Sequence, residues 1–352
     1  MKAVTYVGKG DFRITEKPEP RIQDPRDAII RVTMAAICTS DLHIRAGAVP
    51  RAVPGIAVGH EFVGVVTEVG EDVHGIRPGD RVAVNCETYC GDCFFCRHGW
   101  VNNCTDPKGG WALGCRIDGG QAEYARVPYA DNCLTRIPDG VSDERALLTG
   151  DLLSTGYWAV DIGSISEGDV VAIIGAGPTG LCCAMMAALR DPAKVILIDT
   201  DPSRLKFAKE HGIGDIHIDP SAEDPRAVIE GLTDGRGADV VLEVAGGRDT
   251  LQTAWRIARP NAVVVVVAMY EEAQTLPLPD MYGKNLTFKT GGVDGCHCGE
   301  IMDLIASGRV DASCLITHRF PFERAMGAYD LFSERRAGVM KVALVMDPAP
   351  KE

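Results

Sequence analysis

The sequence predicts an α/β protein of two domains, a β-rich one interrupted by an inserted α/β one, and three observations predict it. At 352 residues the chain exceeds what one ordinary hydrophobic core organises. Up to about Arg145 its apolar runs are short and separated by Gly, Pro and Asp. From about residue 153, Val- and Ile-rich runs alternate with helical segments, the pattern of a parallel sheet covered on both faces.

The elements follow in order. Ala28–Val32, Phe62–Val69 and Arg81–Val84 alternate like strands, with Pro78-Gly79-Asp80 as a turn before the last. In the second region Val170–Ile174, Val195–Ile198, Val240–Val244, Val263–Val267 and Leu286–Lys289 read as strands, and residues 179–190 as a helix. After about residue 294 the pattern is mixed again, with a last strand at Met340–Val345. The expected division is 1–153 and 294–352 for the outer domain, with a cysteine lobe at about 86–110, and 154–293 for the inserted one.

Bulk properties exclude some functions. A net charge of -13 argues against nucleic acid and anionic membrane surfaces as partners. No signal peptide is visible at the N-terminus, and no run reaches the ~18 apolar residues that span a bilayer. The expected compartment is cytoplasmic, so the 13 cysteines are read as thiols or metal ligands.

Cys90, Cys93, Cys96 and Cys104 have the spacing C-x2-C-x2-C-x7-C. Zinc takes four thiolates in a tetrahedron, and a short loop of this spacing can supply all four. Such a site is closed to water and substrate, and is therefore structural. Four reduced cysteines without metal are the alternative.

Asp169–Ile174 feeds the turn Gly175-Ala176-Gly177-Pro178-Thr179-Gly180, which opens a helix. Gly175 allows the tight turn, Gly177 the approach of a pyrophosphate to the helix N-terminus, and Gly180 close helix–strand packing. Asp199 ends the next strand, 19 residues past Gly180, where a carboxylate accepts from the adenosine ribose hydroxyls. It would repel a 2′-phosphate, which favours NAD over NADP. Arg204 either packs on the adenine face or is solvated.

A second ligand set lies apart from the cysteine lobe. Gly59-His60-Glu61 stands in G-H-E-x2-G-x5-G-x2-V, preceded by Cys38-Thr39-Ser40-Asp41-Leu42-His43. Asp151 lies in Thr149–Tyr157. Thiolate, imidazole and carboxylate together make a three-ligand zinc site with an open fourth position, the catalytic form.

With these motifs in this order, the chain resembles the medium-chain zinc-dependent alcohol dehydrogenases over essentially its whole length. The resemblance implies a GroES-like catalytic domain with an inserted Rossmann domain, and two zinc ions per chain. Catalytic zinc would fall on Cys38, His60 and Asp151, with Glu61 beside the metal. The third ligand is Cys in many members; Asp is similar to the branch of NADP-dependent secondary-alcohol dehydrogenases and glutathione-independent formaldehyde dehydrogenases. Ser40 would hydrogen-bond the alkoxide and His43 would pass its proton to solvent. Asp41 either orients His60 or caps a turn. Thr155 would contact the nicotinamide, Lys341 the pyrophosphate, and Trp111 and Leu152 the substrate.

Three departures narrow the expectation. Secondary-alcohol members with strict NADP preference lack the ribose carboxylate that Asp199 supplies, several lack the four-cysteine lobe, and the formaldehyde branch carries an insertion absent here. The expected protein is an NAD-dependent homo-oligomer, a tetramer before a dimer, acting on secondary alcohols and ketones as small-molecule substrates. A polyol or aldehyde dehydrogenase is the alternative, and a non-catalytic zinc-stabilised protein a remote one. Cys296-His297-Cys298 lacks a fourth ligand nearby and is assigned no metal.

Overall fold

The computed structural model describes residues 1–334 and 338–346. Two compact units are formed, one from Met1–Ser154 with the segment starting at Asp294, the other from Thr155–Val293.

The second unit is built on a six-stranded parallel sheet. Its spatial order is Ile216–Ile218, Lys194–Ile198, Val170–Ile174, Ala238–Glu243, Ala258–Val266 and Thr287–Thr290. In order of sequence this is 3-2-1-4-5-6, the doubly wound dinucleotide-binding arrangement. The order of the strands reverses between Val170–Ile174 and Ala238–Glu243, and ligands of such sheets bind outside the carboxyl ends there. Every residue of Val170–Ile174 is buried, which is why it reads as an unbroken apolar run rather than an alternating one. Ala172, Ile196, Val241 and Val264 from four adjacent strands meet in one core.

The apolar runs locate these strands but misplace some ends. The run Val263–Val267 is the inner part of Ala258–Val266, because Arg259, Pro260 and Asn261 lie where the register with the neighbouring strand shifts. The helix expected over 179–190 occupies Pro178–Ala188; proline, which needs no N–H at the first helical position, starts it.

The first unit holds a mixed sheet. Its central strand, Ala28–Ile37, pairs antiparallel with Phe62–Val69, Tyr124–Val127 and Lys341–Val345. Arg81–Val84 and Leu134–Arg136 continue one side, and Ile316–Pro321 flanks Lys341–Val345 on the other. The sequence marks only the first half of the central strand. Its second half, Thr33–Ile37, is almost wholly buried and does not alternate.

Near the end of the first unit's Met1–Ser154 piece lies Thr149–Leu153, wound as a π-helical turn in which the Leu153 N–H reaches Leu148 O at 2.9 Å. Such turns push a side chain out of the regular helical register. Here the turn is pinned by the Cys86 N–H, which donates to Gly150 O at 3.0 Å. A Cβ on Gly150 would collide with Val84 O. Gly150→Ala is therefore expected to cost about 1–3 kcal/mol through overpacking. Thermal denaturation checks this: a native melting temperature in the variant would contradict it.

Candidate metal and dinucleotide sites

The cysteine lobe is compact and its thiols are free of disulfides. Its four sulfurs lie within 4.8 Å of one another. The recorded separations are 3.9 Å for Cys90–Cys96, 3.4 Å for Cys93–Cys96 and 3.6 Å for Cys104–Cys90. A tetrahedron of Zn–S bonds has edges of about 3.8 Å, so the donor set matches a zinc ion. Backbone hydrogen bonds from Cys96 and Thr105 lower the Cys93 thiol to about 6. Burial instead raises Cys96 and Cys104, as expected of thiols crowded without a cation.

The second donor set is assembled from three places in the first unit. Cys38 ends the central strand and leads into the helix Thr39–Arg45. His60 and Glu61 precede Phe62–Val69, with the Glu61 carbonyl accepting from Ala36 N at 2.8 Å. Asp151 projects from the π-helical turn. One donor atom from each of Cys38, His60, Glu61 and Asp151 lies within 4.8 Å of the others. His60 Nε2 is 3.5 Å from Asp151 Oδ2, and Cys38 Sγ is 3.6 Å from the same oxygen. Tetrahedral zinc would set these spacings at about 3.4 and 3.6 Å. The residues fit the ion. Among the described residues these are the only two such clusters, and Cys296-His297-Cys298 forms none.

Surrounding groups set the orientation of the donors. His60 turns Nδ1 toward Asp41 Oδ1 at 3.6 Å, leaving Nε2 to the cluster. Asp41 Oδ2 accepts from the Cys38 N–H at 3.0 Å and from Gln121 Nε2 at 3.1 Å. Asp41 thus caps the turn through Oδ2, while Oδ1 faces His60 beyond hydrogen-bond distance. Gln121 in turn accepts from the Tyr329 hydroxyl at 2.8 Å, a link no sequence motif announces. Burial would raise Asp151, but hydrogen bonds from His60 and Glu61 and the Lys341 charge hold it well below the usual carboxylate range.

Glu61 and Lys341 form an ion pair with side chains 0% and 2% exposed. The Lys341 ammonium is thus engaged by an acidic partner of the same unit. Burial alone would lower Lys341, yet Glu61, Cys38 and Asp151 together raise it. Nothing local in the sequence marks a partnership spanning 280 positions.

Ser40 Oγ lies 3.2 Å from His60 Nε2, beside the donor cluster. His43 is one turn further along the same helix, half-buried. Trp111 packs edge-on to His60 with ring centroids 5.6 Å apart. Leu152 follows Asp151 and is buried.

In the second unit, Gly175 takes φ +110°, open to glycine alone. A Cβ on Gly180 would collide with Gly175 O, so strand and helix approach only because it is glycine. Gly177, Pro178 and Thr179 form the helix N-terminus. A Cβ on Gly177 would project into open space, meeting only Arg204 Nη1 at 3.6 Å, which is the cradle a pyrophosphate needs. Thr155 lies in the first turn of the helix Ser154–Gly163, whose Gly156 sits tight against Cys182 of the dinucleotide helix. Asp199 is tied down by Ala176 N at 2.7 Å and Asp201 N at 2.8 Å. Arg204 lies 3.7 Å from both Asp199 and Asp201. The reason is that its helix begins at Pro202, one residue past Asp201, so the first turn carries Arg204 back over the carboxylates.

Residues 24–139 match the alcohol dehydrogenase GroES-like domain family, and residues 178–306 match the zinc-binding dehydrogenase family. An alcohol dehydrogenase of Cupriavidus necator is 34% identical over 98% of this chain and 98% of its own length. The NADP-dependent isopropanol dehydrogenase of Thermoanaerobacter brockii is 31% identical over 98% of this chain and 99% of its own. The solved structure of alcohol dehydrogenase TADH from Thermus sp. ATN1 superposes with a TM-score of 0.91 at 36% identity, covering 99% of this chain and 100% of that one. No helix among the described residues is long and apolar enough to cross a membrane. Two metal-ready donor sets, a dinucleotide turn and whole-length likeness lead to one conclusion: the chain belongs to the zinc-dependent medium-chain alcohol dehydrogenases, oxidoreductases acting on CH–OH donors.

Proposed function

We propose that this protein is an NAD-dependent dehydrogenase of secondary alcohols, reducing the matching ketones in reverse, with one catalytic and one structural zinc per chain. The observation that carries the reading is the cluster of Cys38, His60, Glu61 and Asp151 donor atoms within 4.8 Å. An aspartate in the third place, together with likeness to an isopropanol dehydrogenase, supports the secondary-alcohol assignment. The reduced cysteines support a cytoplasmic setting. A homotetramer is the assembly we propose.

The roles are as follows. Cys38, His60 and Asp151 hold the catalytic zinc, and Cys90, Cys93, Cys96 and Cys104 the structural one. When bound, zinc would supply Lewis acidity toward an alcohol oxygen and NAD would supply the hydride acceptor. Ser40 Oγ takes the hydroxyl proton, and His43 on the next turn of the same helix delivers it to solvent. Glu61, compensated by Lys341, would offer a fourth donor, an oxygen, beside the ion. Gly175, Gly177, Pro178, Thr179 and Gly180 receive the pyrophosphate and Thr155 the nicotinamide, while Asp199 accepts from the ribose hydroxyls. Arg204 neutralises part of the Asp199 charge. Trp111 and Leu152 bound the substrate.

Metal analysis tests the zinc assignment. Native protein is expected to hold two zinc ions per chain. Cys93→Ser should lose the lobe ion and melt at lower temperature, and His60→Ala should keep the lobe ion but lose turnover. Full activity with a single zinc would overturn the assignment.

Cofactor choice is tested by catalytic efficiency with NAD against NADP. Asp199 is expected to favour NAD by about 2–4 kcal/mol through its ribose hydrogen bonds and repulsion of a 2′-phosphate. Asp199→Gly should narrow or reverse that preference, whereas equal efficiency in the native enzyme would contradict it.

For the proton path, His43→Ala should cut turnover by roughly 10–100-fold, with partial rescue by imidazole buffer. Ser40→Ala should cost more, because it removes the group nearest the alcohol oxygen. An undiminished His43→Ala rate without added buffer would remove His43 from the path.

A further inference from the structure

In the second unit the strand Ala238–Glu243 ends on a side chain that is 0% exposed. Glu243 Oε1 accepts from the Ala245 N–H at 3.0 Å and from the Gly246 N–H at 2.8 Å, so the chain beyond the strand folds back over the carboxylate. Both amides turn into the protein, while Ala245 itself stays exposed. The same loop is held at its other edges. The Val244 N–H donates to Ile174 O at 2.9 Å, and a Cβ on Gly175 would meet Ala245 Cβ at 3.2 Å. Gly246 takes φ +65° and lies close to Met269 O. At the far end the Thr250 hydroxyl donates to Gly247 O at 2.9 Å and lies 2.9 Å from the Tyr270 hydroxyl.

The loop stands at a particular place in the sheet. Strand order reverses between Val170–Ile174 and Ala238–Glu243, and a dinucleotide lies across the crevice there, one half over each side. Asp199, which follows Lys194–Ile198, assigns that side to the adenosine half. The side beyond Ala238–Glu243 then falls to the nicotinamide half. Hydrogen bonds to a charged acceptor are about twice as strong as neutral ones, so Glu243 fixes the two amides firmly. Its Oε2 is buried without a hydrogen-bond partner, a cost that an uncharged side chain with a stabilising role alone would avoid. Resting on the dinucleotide reading above, we infer that Glu243 is a positioning residue for the nicotinamide half of the cofactor. Through the Ala245 and Gly246 amides it sets the loop that walls that half of the crevice, and the Thr250–Tyr270 pair holds the loop's other end. The Glu243 side chain acts through the loop and touches no ligand itself.

Two ligands separate this role from a general structural one, because AMP occupies only the adenosine half. Calorimetry on the native protein and its variants measures dissociation constants for NADH and for AMP. Glu243→Ala is expected to weaken NADH by about tenfold or more while leaving AMP within about twofold. Glu243→Gln keeps an oxygen that both amides can reach, and should restore most of the NADH affinity. Tyr270→Phe frees the Gly247 end of the loop and should weaken NADH by about threefold, again sparing AMP. Unchanged NADH affinity in Glu243→Ala would overturn the inference. So would NADH and AMP weakening in step, which is what a merely structural residue would produce. Where Glu243→Ala fails to fold, native NADH affinity in Tyr270→Phe would overturn it. If the native protein binds NADPH and not NADH, NADPH becomes the probe and the cofactor choice above fails alone. Binding of neither would overturn both readings.

Discussion

The buried charge in the first unit is the constraint on which its functional region depends. Cys38, His60, Glu61 and Asp151 crowd their donor atoms within 4.8 Å, and Asp41 lies behind His60, itself fully buried. Several acidic groups at such spacing repel one another strongly once water is excluded. Lys341 supplies the protein's own counter-charge, drawn from the last strand and paired with Glu61. Removing one partner of a buried pair commonly costs about 3–5 kcal/mol, since the other charge is left uncompensated. The pairing Lys341–Val345 to Ala28–Ile37 is what delivers that lysine, so the sheet register and the electrostatics of the site are one problem.

The same logic explains the polar scaffold behind the donors. Asp41 spends one oxygen on the Cys38 backbone and the Gln121 amide, which fixes it, and turns the other to His60. Tyr329 closes the chain of hydrogen bonds from a helix near the far end of the sequence. A histidine held this way presents one nitrogen to the cluster at no further ordering cost. Gly59, at φ +93° and tight against Gln121, shows why the residue before His60 carries no side chain.

Selectivity in such a site depends on what surrounds the donors rather than on the donors themselves. The matched, buried hydrogen bonds around Asp41 and Gln121 rigidify without selecting.

Much was legible from sequence wherever chemistry lies within a short stretch. The lobe from Cys90 to Cys104 closes on itself through covalent spacing, and its ligand geometry follows from the loop alone. The Gly175–Gly180 turn is likewise local, with strand, turn and helix consecutive. What the sequence could not decide is which distant groups face one another, because sheet register and hydrogen-bond direction depend on packing across the whole unit. Lys341 illustrates this: nothing in the sequence pairs it with Glu61, whereas strand pairing buries it against that carboxylate. Arg204 illustrates the smaller version, where one turn of helix redirected a side chain onto Asp199. By itself the sequence determined the fold class, the two donor inventories and the dinucleotide turn, since each follows from apolar periodicity or short covalent spacing. The tertiary structure alone decided charge compensation, since that arises where segments far apart in the chain exclude water together.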